Sequence, residues 1–142
     1  MYPTKKVVVW GTFDMLHEGH LEFLKNASSY GELYVIVVPD EVVMNNKHHL
    51  PAQNHFKRKE KLERLDFVKR VYIDCVEYGL ESIEIINPDY FCVGYDQLTV
   101  WEDVLSNLFD SKNINAEIIR LNIYANGLHT TDIIANEHKD LI

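Results

Sequence analysis

The sequence predicts an α/β domain built on a doubly wound parallel sheet. Three observations favour it: short β-branched runs alternate with helical periodicity, each run ends at a Gly, Pro or polar turn, and the length suits one core. The chain has 142 residues, of which 46% are apolar and 25% charged, enough to bury one sizeable core. We therefore expect residues 1–142 to form a single domain.

The first half of the chain begins with a strand, a helix and a second strand. Residues 7–10 form a continuous β-branched and aromatic run, which is typical of a strand buried on both faces. In residues 17–29 apolar side chains recur every three positions, as on one helix face, and a glycine follows as a stop signal. Residues 33–38 form a second buried run closed by a proline. Residues 42–54 lack periodicity and predict a long loop beside a site.

The second half repeats the alternation. Residues 55–68 are predicted to form a helix whose Lys and Arg side chains face outward. The remaining predicted strands are residues 71–75, 90–93 and 116–121, and the remaining predicted helices are residues 80–86, 100–109 and 129–138. This alternation implies a Rossmann-like sheet of about five parallel strands with helices on both faces. Ligands of such sheets bind at the carboxyl ends of the strands, where strand order reverses.

Charge and hydropathy exclude some classes of partner. The formal charge of −8 argues against a protein that binds nucleic acid through phosphate contacts. Eight of the 14 basic residues nevertheless lie within residues 47–70, which leaves room for a small anionic ligand. The longest apolar run has six residues, so we expect no membrane segment, no export signal and a cytoplasmic location. We expect Cys75 and Cys92 to be reduced, half-buried strand residues.

The segment after the first predicted strand carries the chemistry. It reads Gly11-Thr12-Phe13-Asp14-Met15-Leu16-His17-Glu18-Gly19-His20. Gly11 allows a sharp turn and close approach to a ligand, and the free N–H groups that open the next helix attract a phosphate. His17 and His20 are three residues apart, so both project from one helix face toward that anion. Gly19 between them keeps the approach open.

Residue chemistry alone leaves two alternatives to a phosphate site in this segment. His17 and His20 could be half of a zinc site, with His48, His49 or His55 as a third ligand in space. The segment could also be an ordinary glycine turn followed by two exposed histidines. The complete ten-residue string is more specific than its parts.

That string resembles the signature of the cytidylyltransferase-like nucleotidyltransferases, G-T-F-D-x-x-H-x-G-H, at every defined position. Within the family, Gly94-Tyr95-Asp96-Gln97 and Arg120-Leu121-Asn122-x-Tyr124 are most similar to the archaeal FAD synthases, which adenylylate FMN. Leu128-His129-Thr130-Thr131-Asp132-Ile133 resembles the family's I-S-T-T-x-I motif, with His129 in place of Ser. The cytidylyl branch has an arginine where this chain has Tyr124.

The resemblance implies a nucleotidyltransferase that releases pyrophosphate, with ATP and FMN giving FAD as the leading reaction. The alternatives are cytidylyl transfer to glycerol 3-phosphate or a sugar phosphate, and a non-catalytic nucleotide-binding protein. The acceptor phosphate is itself the nucleophile, so no general base is required. The resemblance also implies a magnesium ion that enters with the nucleotide, no metal ligands from the protein, and a homodimer.

The resemblance assigns roles residue by residue. His17 and His20 would stabilise charge on the α-phosphate, and nearby anions would raise their pKa. The other implied nucleotide-binding residues are Gly11, Thr12, Phe13, Gly19, Asp96, Tyr124, Thr130 and Thr131. Asp14, Lys47 and Arg58 would contact phosphates or the acceptor. Each has a simpler alternative, such as a solvated charge, a turn former or a helix cap.

Overall fold

A computed structural model describes residues 4–123 and residue 125 of the chain, which form a five-stranded parallel sheet flanked by helices. The strands are β1 (Lys6–Gly11), β2 (Glu32–Val37), β3 (Val68–Ile73), β4 (Tyr90–Val93) and β5 (Glu117–Arg120). The α-helices are α1 (Glu18–Ser28), α2 (Asp40–Lys47), α3 (His55–Glu63), α4 (Ser82–Ile86) and α5 (Val100–Lys112). A 3-10 turn covers Val76–Tyr78. The predicted fold class is confirmed.

The two faces of β1 contact two separate cores. Val7 and Val9 pack in a cluster that includes Leu24 of α1 and Leu62 of α3. Val8, one position along β1, packs in the other cluster, with the buried side chains of α4 and α5. Because alternate residues of a strand point to opposite faces, a strand buried on both sides needs apolar residues at every position. The unbroken apolar run in β1 therefore reflects helices on both faces of the sheet.

The strand order β3-β2-β1-β4-β5 reverses between β1 and β4, although the strands are parallel. β1 pairs with β2 along its whole length, with Val9 opposite Val35, and with β4 through Val8 opposite Phe91. The connections leave the carboxyl ends of β1 and β4 toward opposite sides, which opens a crevice between them. The fold thus directs the search for a site to the segments that follow β1 and β4.

The amino ends of three strands are held by hydrogen bonds to Asp89, the residue just before β4. Lys6 donates its backbone N–H to Asp89 Oδ2 at 2.9 Å, and the Asp89 N–H donates to the Lys6 carbonyl at 2.9 Å. Glu117 donates to the Asp89 carbonyl at the same distance. One residue therefore fixes the amino ends of β1, β4 and β5, away from the crevice.

The prediction of a loop over residues 42–54 is wrong in its first half, because α2 occupies Asp40–Lys47. Only Val42 and Val43 of this helix are buried, in a small cluster with Val38 and Cys75. Two buried positions in eight residues give too little periodicity to be recognised in the sequence. The loop is confined to the residues between α2 and α3, here called the α2–α3 loop (residues 48–54).

The helix predicted over residues 55–68 is too long. α3 ends at Glu63, and two turn bonds, Leu65 N–H to the Leu62 carbonyl and Val68 N–H to the Leu65 carbonyl, lead into β3. The third strand therefore starts at Val68 rather than residue 71. α5 extends three residues beyond its predicted end, whereas the helix predicted over residues 129–138 lies outside the described residues.

Both cysteines are free thiols, and both are fully buried rather than half-buried. Cys92 lies in β4 as predicted, but Cys75 lies beyond the end of β3, before the 3-10 turn. Burial raises the pKa of the Cys92 thiol to about 12, so it stays protonated at neutral pH. Across residues 4–123 and 125, no helix is long and apolar enough to span a membrane.

Candidate active site

A cavity of about 240 Å³ lies at the carboxyl ends of β1 and β4, where the strand order reverses. Its walls are formed by the signature loop (residues 11–17) with the start of α1, by helix α2, by the α2–α3 loop, and by the segments after β4 and β5. The lining residues are Gly11, Thr12, Phe13, Asp14, His17, His20, Val43, Lys47, His49, Pro51, Asp96, Gln97 and Ala125.

The signature loop departs from extended backbone immediately after β1. Phe13 has a φ of 51°, in the left-handed region that non-glycine residues rarely occupy, and its ring is buried. A Cβ on Gly11 would lie 2.9 Å from the Phe13 ring. Gly11 therefore allows the ring to fold back beneath the loop, and the ring packs against His20 with centroids 5.7 Å apart. Such local strain is common at functional sites.

His17 and His20 stand together at the amino end of α1. Their rings are stacked, with centroids 3.9 Å apart and planes inclined by 24°. His17 is the N-cap, and its Nδ1 accepts the Gly19 N–H at 3.1 Å. His20 Nδ1 accepts the His17 N–H at 3.4 Å. Because each neutral ring uses Nδ1 as an acceptor, its proton is on Nε2, and the pair offers two Nε2–H donors.

At His20, burial outweighs the expected raising of the pKa by nearby anions. The pKa of His20 is lowered from 6.5 to about 4, mainly by burial; the neighbouring His17 and Lys47 contribute to the lowering, while Asp14 acts in the opposite direction. His20 is therefore neutral at physiological pH. A neutral histidine with Nδ1 engaged still donates one strong hydrogen bond from Nε2, so the geometry keeps its usefulness toward a phosphate.

Two residues of the signature take supporting positions. Gly19 lies in the first turn of α1, with its N–H engaged by His17 rather than open to the cavity. Asp14 accepts the backbone N–H groups of Ala52 and Gln53 at 2.7 and 3.0 Å. Its two carboxylate oxygens thus hold the α2–α3 loop against the signature loop, across almost 40 residues of sequence.

Helix α2 contributes Val43 and Lys47, which are four residues apart and so share one helix face. Lys47 is half-buried and lines the cavity, as sequence reasoning placed it beside the site. Sequence reasoning did not single out Val43 or Pro51, and it named His49 of the α2–α3 loop only as a possible zinc ligand. The i, i+4 spacing of Val43 and Lys47 was an available signal once the segment was recognised as helical.

Arg58 does not line the cavity, and the prediction that it faces outward is wrong. Its side chain is 0% exposed. The guanidinium donates to the carbonyls of Gln53 and Thr12 at 3.0 and 2.8 Å, and to Asp40 Oδ1 at 2.7 Å. A fully buried arginine needs such pairing, because an unpaired buried charge costs several kcal/mol.

The segment after β4 supplies Asp96 and Gln97 to the opposite wall. Arg120 of β5 fixes it by donating to the carbonyls of Gly94 and Gln97 at 2.8 and 2.7 Å. Asp96 Oδ1 accepts the Ala125 N–H at 2.7 Å. A Cβ on Gly94 would lie 2.5 Å from the Ala125 nitrogen, so only glycine permits this close approach.

Gln97 was not singled out as a site residue, although it belongs to a motif that the sequence analysis quoted. Its side chain is buried, and Oε1 accepts the Gly94 N–H at 2.7 Å. The predicted site residues Tyr124, Thr130 and Thr131 lie outside the described residues. Within residues 4–123 and 125, no three His, Cys, Asp or Glu side chains are grouped as metal ligands, so the zinc alternative finds no ligand set there.

The fold, with a cavity at the amino end of a helix where strand order reverses, is typical of α/β nucleotide-binding domains. The cytidylyltransferase-like family matches this chain over residues 8–136. The chain belongs to this family and is a nucleotidyltransferase.

Curated relatives match over most of the chain. FAD synthase of Thermococcus sibiricus is 39% identical over 120 residues, which cover 82% of this chain and 79% of the relative. FAD synthase of Pyrococcus horikoshii is 40% identical over 118 residues, covering 82% and 79%. FAD synthase of Haloferax volcanii is 35% identical over 117 residues, covering 82% and 80%. The similarity to archaeal FAD synthases indicated by the motifs is confirmed.

Solved structures share the fold. A lipopolysaccharide core biosynthesis protein from Thermoplasma volcanium superposes with a TM-score of 0.77 at 28% identity, covering 86% of this chain and 99% of that one. A pantoate-beta-alanine ligase from Francisella tularensis superposes with a TM-score of 0.55 at 15% identity, covering 94% and 69%. The second likeness concerns the fold alone.

Proposed function

We propose that this nucleotidyltransferase transfers the adenylyl group of ATP to FMN, giving FAD and pyrophosphate. The observation that carries the proposal is the stacked pair of His17 and His20, which line the cavity at the amino end of α1. The curated relatives named FAD synthase support FMN as the acceptor, since the chain covers almost four fifths of their length.

The reaction needs positioning and neutralisation of charge more than it needs a base. The phosphate of FMN is a dianion at neutral pH and attacks the α-phosphate of ATP directly, while pyrophosphate leaves. His17 and His20 would donate from Nε2 to the α-phosphate, where negative charge grows in the transition state. The amino end of α1 adds a favourable dipole at the same place.

The other cavity residues would bind different parts of ATP and FMN. Lys47 would neutralise phosphate oxygens of the triphosphate or of the acceptor from its position on α2. Gly11, Thr12 and Phe13 would form the floor beneath the phosphates, and Asp96 would bind the ribose or the base. We propose that Tyr124, Thr130 and Thr131 complete the nucleotide site, as the family resemblance implies.

A divalent cation, most simply magnesium, fits this cavity as an ion that enters with the nucleotide. Asp14 and Asp96 are the carboxylates that line the cavity, and both oxygens of Asp14 and Oδ1 of Asp96 accept backbone N–H groups. Carboxylates already engaged in this way suit an ion coordinated mainly by phosphate oxygens and water. Asp14 or Asp96 would hold those waters. The ion would neutralise charge on the triphosphate.

The decisive experiment measures pyrophosphate release with ATP or CTP against a panel of phosphomonoesters that includes FMN and glycerol 3-phosphate. ATP with FMN should release pyrophosphate and give FAD, which chromatography separates from FMN. Release only with CTP and glycerol 3-phosphate would replace FMN adenylylation by cytidylyl transfer. Tight nucleotide binding without release from any pair would mean a non-catalytic protein.

We also propose that residues 1–142 act as one nucleotidyltransferase domain in a cytoplasmic homodimer that binds no nucleic acid. The net charge of −8 supports the last point. Sedimentation equilibrium would test the dimer, and a monomer at micromolar concentration would contradict it.

A further inference from the structure

Arg58 is the most unusual charged residue of the described chain, because it is fully buried and lies beside the cavity without lining it. It occupies the first turn of α3, and each of its three guanidinium nitrogens donates to a different partner. Those partners are the Gln53 carbonyl, the Thr12 carbonyl and Asp40. A single side chain thus joins the α2–α3 loop, the signature loop and the start of α2.

Neighbouring bonds reinforce the same junction. Asp14 holds the N–H groups of Ala52 and Gln53, so the α2–α3 loop is fixed by its donors as well as by its Gln53 carbonyl. His55 Nδ1 accepts the Asp40 N–H at 3.0 Å, which satisfies one of the free donors at the amino end of α2. Every polar contact of the junction is therefore directed at backbone or at Asp40, and none at the cavity.

The three joined segments carry the parts of the cavity that must be aligned with one another. Thr12 belongs to the loop that leads into His17. Asp40 begins the helix that presents Lys47, and the α2–α3 loop presents His49. A displacement of about 1 Å between reacting groups can cost on the order of 100-fold in rate. The position of Arg58 lets it control that alignment from outside the cavity.

We propose that Arg58 is a positioning residue, which aligns the signature loop with α2 through Thr12 and Asp40 and contacts no phosphate itself. This inference rests on the proposed function for its kinetic test. An arginine is required because its planar guanidinium donates in three directions at once, whereas a lysine has one nitrogen at the end of a flexible stem. The Asp40 carboxylate supplies the charge that allows the guanidinium to be buried.

The kinetic test compares Arg58→Lys with Arg64→Lys, a matched change of an exposed arginine at the end of the same helix. Arg58→Lys should lower kcat for FAD formation at least about tenfold while the KM for ATP changes less than about threefold. Arg64→Lys should leave both within about twofold. A variant Arg58→Ala should recover part of its kcat with guanidinium chloride, saturably, and not with sodium chloride at equal ionic strength.

Asp40→Asn separates positioning from phosphate binding. If Arg58 acts through Asp40, this variant loses kcat as Arg58→Lys does, and the double variant loses little more. If Arg58 instead served as a phosphate ligand, Asp40→Asn would release it toward the cavity and keep activity, and Arg58→Lys would act mainly on the KM for ATP. Either of those two results, or a failure of guanidinium to rescue Arg58→Ala, overturns the proposal.

A measurement independent of catalysis keeps the two proposals apart. Amide hydrogen exchange at Ala52 and Gln53 should accelerate at least about tenfold in Arg58→Lys and Asp40→Asn, and not in Arg64→Lys. If the wild-type protein makes no FAD, the proposed function fails, but hydrogen exchange still tests whether Arg58 positions the α2–α3 loop. Should Arg58→Lys not fold, Asp40→Asn still gives this readout, because it removes the ionic partner of the guanidinium. Unchanged exchange in the folded variants overturns the proposal.

Discussion

The rings of His17 and His20 stack at 3.9 Å, and each uses Nδ1 to accept a backbone N–H of the same helix turn. The backbone therefore determines which nitrogen carries the proton in both rings. Two Nε2–H donors result, side by side. The pair acts as a fixed donor set at the amino end of α1.

Loss of either donor should reduce turnover strongly. His17→Ala and His20→Ala should each lower kcat at least about 100-fold, which is typical for removal of one donor that stabilises transition-state charge. Pyrophosphate release with ATP and FMN measures the effect. His48→Asn is the matched control, because His48 does not line the cavity and has a left-handed φ that asparagine tolerates. Near-normal turnover in either alanine variant would remove that histidine from the mechanism.

Burial of His20 should also make stability depend on pH. Its pKa is lowered from 6.5 to about 4, mainly by desolvation, so the unfolded chain binds a proton that the folded chain does not as pH falls through this range. The contribution is complete above pH 6.5 and is lost as pH falls toward 4, by up to about 3 kcal/mol. Urea unfolding at about pH 7.5 and about pH 4.5 should show a smaller difference for His20→Gln than for wild type. Equal differences would contradict the prediction.

Gly94→Ala should disturb the wall of the cavity that the segment after β4 forms. Its Cβ would lie 2.5 Å from the Ala125 nitrogen, which donates to Asp96, so that bond must break or the segment must shift. We expect a loss of about 1–3 kcal/mol of stability, as in other overpacked sites, and at least about tenfold weaker ATP binding. Calorimetric titration and thermal unfolding measure the two effects.

Gly79→Ala is the control for the glycine prediction. Gly79 has a φ of 87°, and its added Cβ would meet only the Glu81 side chain at 3.9 Å. The change should cost about 1 kcal/mol through backbone strain and leave ATP affinity unchanged. Equal effects of both variants on ATP binding would mean that Gly94 acts through general stability alone.

A buried carboxylate at the end of β3 should matter for folding and not for substrate binding. Asp74 accepts the N–H groups of Cys75 and Ser82 and the Ser82 hydroxyl, at 2.8, 2.9 and 2.6 Å. Asp74→Ala should cost about 2–4 kcal/mol because it leaves buried donors unpaired, and Ser82→Ala about 1 kcal/mol. Urea unfolding measures both. A changed KM for ATP in either variant would place Asp74 closer to the site than the structure does.

The sheet could be predicted because each strand shows a pattern within a few consecutive residues. The unbroken runs in β1 and β2 report burial on both faces, and the signature after β1 locates the phosphate site from ten consecutive residues. α2 was missed because only Val42 and Val43 are buried in it, and polar residues fill most of the rest of the helix. Short elements with few buried positions lose the periodicity on which such predictions depend.

The roles of Asp14 and Arg58 could not be derived from local pattern. Their partners Ala52, Gln53 and Thr12 include contacts 38 to 46 residues apart in sequence, and only the folded chain brings these segments together. A basic residue in a helix rich in lysine also predicts exposure by default. Polar contacts between residues far apart in sequence therefore could not be predicted for this site.

The hydrogen bonds that Asp89 makes with Lys6 and Glu117 through its backbone and carboxylate lie at the amino ends of the strands, far from the cavity at their carboxyl ends. This separation allows the protein to be attached to a solid support through the amino ends of its strands. Both native cysteines are buried, so a single cysteine introduced at exposed Lys5, beside that edge, should react selectively with a maleimide support. Molecules tethered there would all present an open cavity to the solution, in one orientation.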